Sequence, residues 1–154
     1  MIYVAVILVV IIALVYGIIT TRRVDDTISF EESFNKVGLP VIQLFNDSYP
    51  LNFLVDTGSD DNFIDTNVLK YIHYTESDEK PRGVICASGQ TESKSIFVCI
   101  NDLEDCATEK FYTLDMSSMN KEHAGMHING ILGSRFCNDA GLVIDYSNKT
   151  IFTK

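Results

Sequence analysis

The sequence predicts a small all-β domain of one lobe, with one short helix, behind an N-terminal transmembrane helix. Three observations lead there. Runs of β-forming residues recur from Pro40 to the end of the chain, at the spacing of about 8–12 residues that marks compact all-β domains. Residues 1–21 contain no Asp, Glu, Lys or Arg, so every charge lies in residues 22–154. The whole chain has 154 residues, 46% of them hydrophobic, which excludes bulk disorder and suits one domain of roughly 100–150 residues. Four Cys in this length are too few for a disulfide scaffold. With 12 Lys and Arg against 21 Asp and Glu, the net charge is −9. That balance argues against nucleic acid as partner, because phosphate binding needs clustered cations.

Residues 2–21 read IYVAVILVVIIALVYGIITT, with no Pro and apolar side chains on all faces. A helix of that length spans about 30 Å, the thickness of a bilayer core. A cleaved signal peptide would instead show a basic start, a shorter apolar run and small residues at a cleavage site. A retained anchor over residues 1–21 is therefore expected, followed by a juxtamembrane linker and first strand over 22–39. Arg22 and Arg23 follow the span directly, which places the domain in the cytoplasm by the positive-inside rule. Cys86, Cys99, Cys106 and Cys137 form no CxxC pair and agree with a reducing compartment. Asn46 and Asn148 begin Asn-x-Ser/Thr sequences, which matter only if the domain faces outward. Ala13, Gly17 and Thr21 have the small-xxx-small spacing that lets helices pack closely. Small residues are also simply common in membrane helices.

Residues 24–39 mix charged and apolar side chains without a clean period, with a first strand expected near residues 27–30. The domain proper is expected over 40–154. Residues 41–45 (VIQLF) and 51–55 (LNFLV) flank the turn cluster Asn46-Asp47-Ser48-Tyr49-Pro50 and predict a hairpin. It ends in the polar loop Asp56-Thr57-Gly58-Ser59. Asp65 or Thr66 is placed to cap a short helix through Val68, Leu69 and Ile72. Two β-rich runs, 83–86 and 95–100, surround Ser88-Gly89-Gln90, and residues 111–114 form another strand. Gly130-Ile131-Leu132-Gly133 is an apolar run fenced by glycines, and Ser134 is placed to start a short helix. Residues 142–144 and 150–152 flank Ser147-Asn148-Lys149 as a closing hairpin.

Asp56-Thr57-Gly58 has chemical interest because an apolar strand delivers a carboxylate into a Gly-containing turn, where backbone N–H groups can hold it. On the triplet alone, an Asp that caps a turn after a strand is the simpler reading. The second element, Gly130-Ile131-Leu132-Gly133, stands downstream before a short helical stretch and the strand ending in Asp145. With both in order, the sequence resembles the retroviral-type (retropepsin-like) aspartic proteases. The resemblance rests on LNFLVDTGSDDNFID at 51–65, a flap over 83–100 and NGILGSRFCNDAGLVIDYSNKTI at 129–151, and covers about residues 40–152.

The resemblance implies a retropepsin-like acid protease barrel and a catalytic carboxylate at Asp56. It gives Thr57 a hydrogen bond across to a partner chain. Gly58 would bring its backbone close to the carboxylates, and Ser59 would bond the outer oxygen of Asp56. Ile131, Leu132 and Gly133 would pack beneath the catalytic loop, and Ser88, Gly89 and Gln90 would lie near the flap tip, contacting substrate. The chemistry needs two carboxylates sharing one proton. This chain has one Asp-Thr-Gly, so the second must come from a homodimer partner about a two-fold axis. Anchoring both copies through residues 2–21 in one membrane raises their effective concentration. A peptide or protein substrate is implied, with no cofactor and no metal. The reading from another class is a non-catalytic, membrane-anchored dimerisation or peptide-binding module with a protease-like fold, and the single Gly at the flap tip is the feature behind it.

Other constellations are weaker. His123 and His127 are four apart but have no convincing third ligand, and Gly125 between them weakens a helix. The acidic series Asp56, Asp60, Asp61, Asp65 lacks the Gly and Glu of a calcium loop. A solvated loop is the simpler reading for Asp60 and Asp61, and a solvent-facing side chain for Arg135. No Cys stands in a catalytic context.

Overall fold

The computed structural model describes residues 28–86, 89–101, 107–122 and 125–153. The expected membrane span lies outside them, and no helix among the described residues is long and apolar enough to cross a membrane. Strands β2 (Val41–Asn46) and β3 (Tyr49–Val55) form the expected hairpin, in register from Val41–Leu54 to Asn46–Tyr49. Alternation along β3 decides which face each residue fills. Leu51, Phe53 and Val55 enter the main core, whereas Leu54 joins a second cluster with Val41, Phe63, Val84, Tyr112, Met116 and Ile128.

The main sheet adds β4 (Phe63–Asp65), β5 (Tyr74–Glu76), β8 (Ser95–Ile100), β9 (Ala107–Leu114) and β10 (Gly130–Leu132). Its strand order is β2-β3-β10-β4-β9-β8-β5. Phe45 and Asn101 also exchange backbone hydrogen bonds, which brings β2 against the end of β8 and curls the sheet toward a barrel. A separate sheet joins β1 (Ile28–Ser29), β12 (Thr150–Thr153) and β11 (Leu142–Asp145). The closing β11–β12 hairpin is as expected. Its turn is held by Asp145, whose Oδ1 accepts from the Ser147 and Asn148 backbone N–H groups.

The structure differs from the expectations at four points. Helix α1 (Glu31–Val37) occupies the stretch read as linker, and Phe30 before it is buried in the main core. Seven residues are too few to show a period, yet Glu31 and Glu32 suit the first turn and Lys36 the last. Gly38, at φ 72°, ends the helix with its N–H on the Phe34 carbonyl. Besides the expected short helix, now α3 (Ser134–Asp139), there is α2 (Ser117–Glu122). The site near Thr66 gives one 3₁₀ turn, Leu69–Tyr71. Finally, Cys99 is disulfide-bonded, so the cysteines no longer argue for a reducing compartment.

Asn46 shows how polar groups stabilise the curl. It is 2% exposed, donates to the His73 and Cys99 carbonyls, and accepts from the His73 N–H. This consumes the side chain of one Asn-x-Ser sequence inside the fold. Asn46→Leu leaves these partly buried backbone groups without their side-chain partner, and urea denaturation should show a loss of about 1–3 kcal/mol.

Candidate active site

The loop carrying Asp56 is fixed by a crossing of strands. β10 lies between β3 and β4, parallel to β3 in register Leu132–Val55 and antiparallel to β4. The chain leaves β3 at Val55, loops through residues 56–62 and returns as β4 on the far side of β10. Bonds from β10 and the start of α3 hold this loop. The Asp56 N–H donates to the Leu132 carbonyl at 3.0 Å, and the Ser134 N–H to the Ser59 carbonyl at 2.7 Å. The Gly133 N–H donates to Oδ1 of buried Asn62 at 2.9 Å. Leu132 and Gly133 are buried and Ile131 is half-buried beneath the loop.

Asp56 is itself half-buried, and its Oδ1 accepts the Gly58 N–H at 2.9 Å. A Cβ on Gly58 would lie 3.1 Å from that oxygen, so glycine permits the close backbone approach. Thr57 is exposed. Ser59 departs from its implied role. Its hydroxyl donates to the Asp61 carbonyl at 2.9 Å, within the loop, and not to Asp56. The short loop turns Ser59 toward its own backbone.

The flap is shorter than the sequence suggested. It is the hairpin β6 (Arg82–Cys86) with β7 (Gly89–Ser93), paired from Arg82–Ser93 to Cys86–Gly89. Residues 95–100 belong instead to the main sheet, because Ile96, Val98 and Ile100 alternate into the core. Gly89 and Gln90 are exposed near the tip, with Gly89 at φ 117°; Ser88 lies outside the described residues. Val84 points down into the second core cluster, while Ile85 is 86% exposed.

Asp61 and Arg135 also differ from the solvated reading. Asp61 is paired with the Arg82 guanidinium, and Arg135 Nη1 reaches its other oxygen at 3.5 Å. Hydrogen bonding to Asp61 holds the Arg82 guanidinium above its ordinary pKa. Asp65 is a buried turn anchor, accepting from the Asn67 backbone and side chain. Sequence reasoning missed Asn62, Asp61 and Arg82. Asn62, a polar residue entering an apolar strand, was the one local signal.

Burial pushes the Cys137 thiol pKa up, and the nearby Asp56 charge adds to the effect. A thiol so held is a poor nucleophile. Of the two histidines four apart that were set aside as metal ligands, His123 lies outside the described residues. Among the described residues no three His, Cys, Asp or Glu side chains gather as metal ligands.

A family model described as aspartyl protease matches residues 42–136, more than half of the chain. The chain belongs to the retropepsin-like aspartyl proteases. Its fold is shared with the retroviral protease-like domain of Ddi1 from Leishmania major. That match has a TM-score of 0.53 and 13% identity, over 75% of this chain and 88% of that one. The EIAV protease complexed with the inhibitor HBY-793 matches with 24% identity and a TM-score of 0.48, over 67% of this chain and 88% of that chain. No curated protein matches the sequence.

Proposed function

We propose that the protein is an aspartic endopeptidase, active as a homodimer anchored in a membrane by residues 2–21. The observation that supports this most is the Asp56 loop itself. It is fixed by β10, holds one carboxylate oxygen on the Gly58 N–H, and leaves the carboxylate only half-buried. One chain supplies one such loop, so a second copy brings its own Asp56 to the first across a two-fold axis. Two carboxylates in contact share one proton and titrate as a pair. The ionised member takes a proton from water as the water attacks the peptide carbonyl. The protonated member hydrogen-bonds the carbonyl oxygen as charge develops there. Thr57, exposed beside Asp56, reaches the partner loop, and Gly89, Gln90 and Ser88 cover bound peptide from the flap.

Arg22 and Arg23 alone now argue for a cytoplasmic domain. Peptide cleavage by the full chain, lost on Asp56→Asn, tests the function. Binding of intact peptide without cleavage by the unaltered protein would instead favour the non-catalytic module.

A further inference from the structure

The flap is a two-stranded sheet of its own, and isolated hairpins are marginally stable in water. Its order therefore depends on how it is fastened to the body. At the end of β7, Ser93 Oγ donates to the Thr113 carbonyl at 2.8 Å, and the Lys94 N–H donates to Thr113 Oγ1 at 3.1 Å. Val84 adds an apolar contact beneath the hairpin. At the start of β6 the fastening is ionic. The Arg82 guanidinium pairs with the Asp61 carboxylate and lies over the Tyr112 ring, 3.6 Å from its centroid. The Asp61 side chain is 18% exposed and that of Arg82 44%, so the pair is partly shielded from water, and the ring provides a surface against which a planar cation stacks.

Asp61 is also bound tightly to the loop that carries Asp56. Its carbonyl accepts the Ser59 hydroxyl, and its backbone lies against Gly133 so closely that a Cβ there would stand 2.5 Å from the Asp61 oxygen. The second carboxylate oxygen faces Arg135 from α3. One residue thus touches the Asp56 loop through its backbone and the flap through its side chain.

We propose that Asp61 and Arg82 are positioning residues that latch the base of the flap to the Asp56 loop, so that substrate meets a flap already held over the carboxylate. The role in catalysis rests on the proposed endopeptidase reading; the latch itself does not. An open flap lowers the fraction of binding-competent molecules and raises the apparent KM by the reciprocal of that fraction. kcat changes less, because neither side chain touches the reacting atoms.

The test is a double-mutant cycle on the full chain with Asp61→Asn, Arg82→Met and both together. It is read by hydrogen exchange of the β6 and β7 amides and by peptide cleavage. Each single variant should speed flap exchange by about threefold to tenfold, the range for a partly screened pair with a charge-assisted hydrogen bond. The double variant should go no further, and β8 amides should keep wild-type protection. Arg82→Lys retains the charge without the fork or the stack and should restore protection in part. It decides the matter should Asp61→Asn fail to fold. KM should rise by a similar factor. Unchanged flap exchange in the single variants, or effects that add in the double, would overturn the latch. Coupled exchange in a protein that cleaves no peptide would leave the latch standing and remove the endopeptidase reading. Cleavage with uncoupled exchange would do the reverse.

Discussion

Asp56→Asn should lower kcat for peptide cleavage by about a thousandfold or more, the loss expected when an acid–base group is removed from a dyad. The substitution is nearly isosteric. An Asn Oδ1 can still accept the Gly58 N–H that Asp56 now accepts at 2.9 Å, so the loop should keep its shape. What disappears is the group able to hold either a proton or a charge. In a two-fold dimer both carboxylates go at once, leaving no base for the water and no acid for the carbonyl. Thermal unfolding should move little, while cleavage measured between about pH 4 and 7 falls to background. Retained activity would place the chemistry elsewhere in the chain.

Gly133→Ala should be the most damaging small change to the fold of the site. A Cβ at this position would lie 2.5, 2.7 and 2.9 Å from the O, C and N atoms of Asp61, all backbone. No rotamer relieves that overlap, so β10 and the Asp56 loop must separate. Separation weakens the Gly133 N–H bond to Asn62 and the Ser134 N–H bond to Ser59. A loss of about 2–4 kcal/mol in urea denaturation follows, at the upper end for overpacking by one methyl. Activity should fall further than stability alone explains, because the displaced loop carries Asp56.

These two residues also mark what could be read from the sequence. The β2–β3 and β11–β12 hairpins were legible because apolar alternation and turn residues are local signals. So were the Asp56 loop and the run at 130–133, whose meaning came from their order along the chain. Helix α1 was hidden because its seven residues hold one buried residue, the polar Ser33, and no full period. The flap boundary was misplaced because β-rich composition is the same in a hairpin and in the sheet behind it. Only long-range pairing with β9 assigns residues 95–100 to the sheet. Asp61 looked solvated because its cations, Arg82 and Arg135, come from the flap and from α3. Ser59 was assigned to Asp56 by family resemblance, and its own turn geometry redirected it.

Mixing wild-type protein with a growing excess of Asp56→Asn protein tests the central claim most directly. If each active site needs one Asp56 from each of two chains, mixed dimers are inactive. At fixed total concentration, cleavage should then fall as the square of the wild-type fraction. A fall in simple proportion to that fraction would show that one chain acts alone, and would contradict the shared dyad.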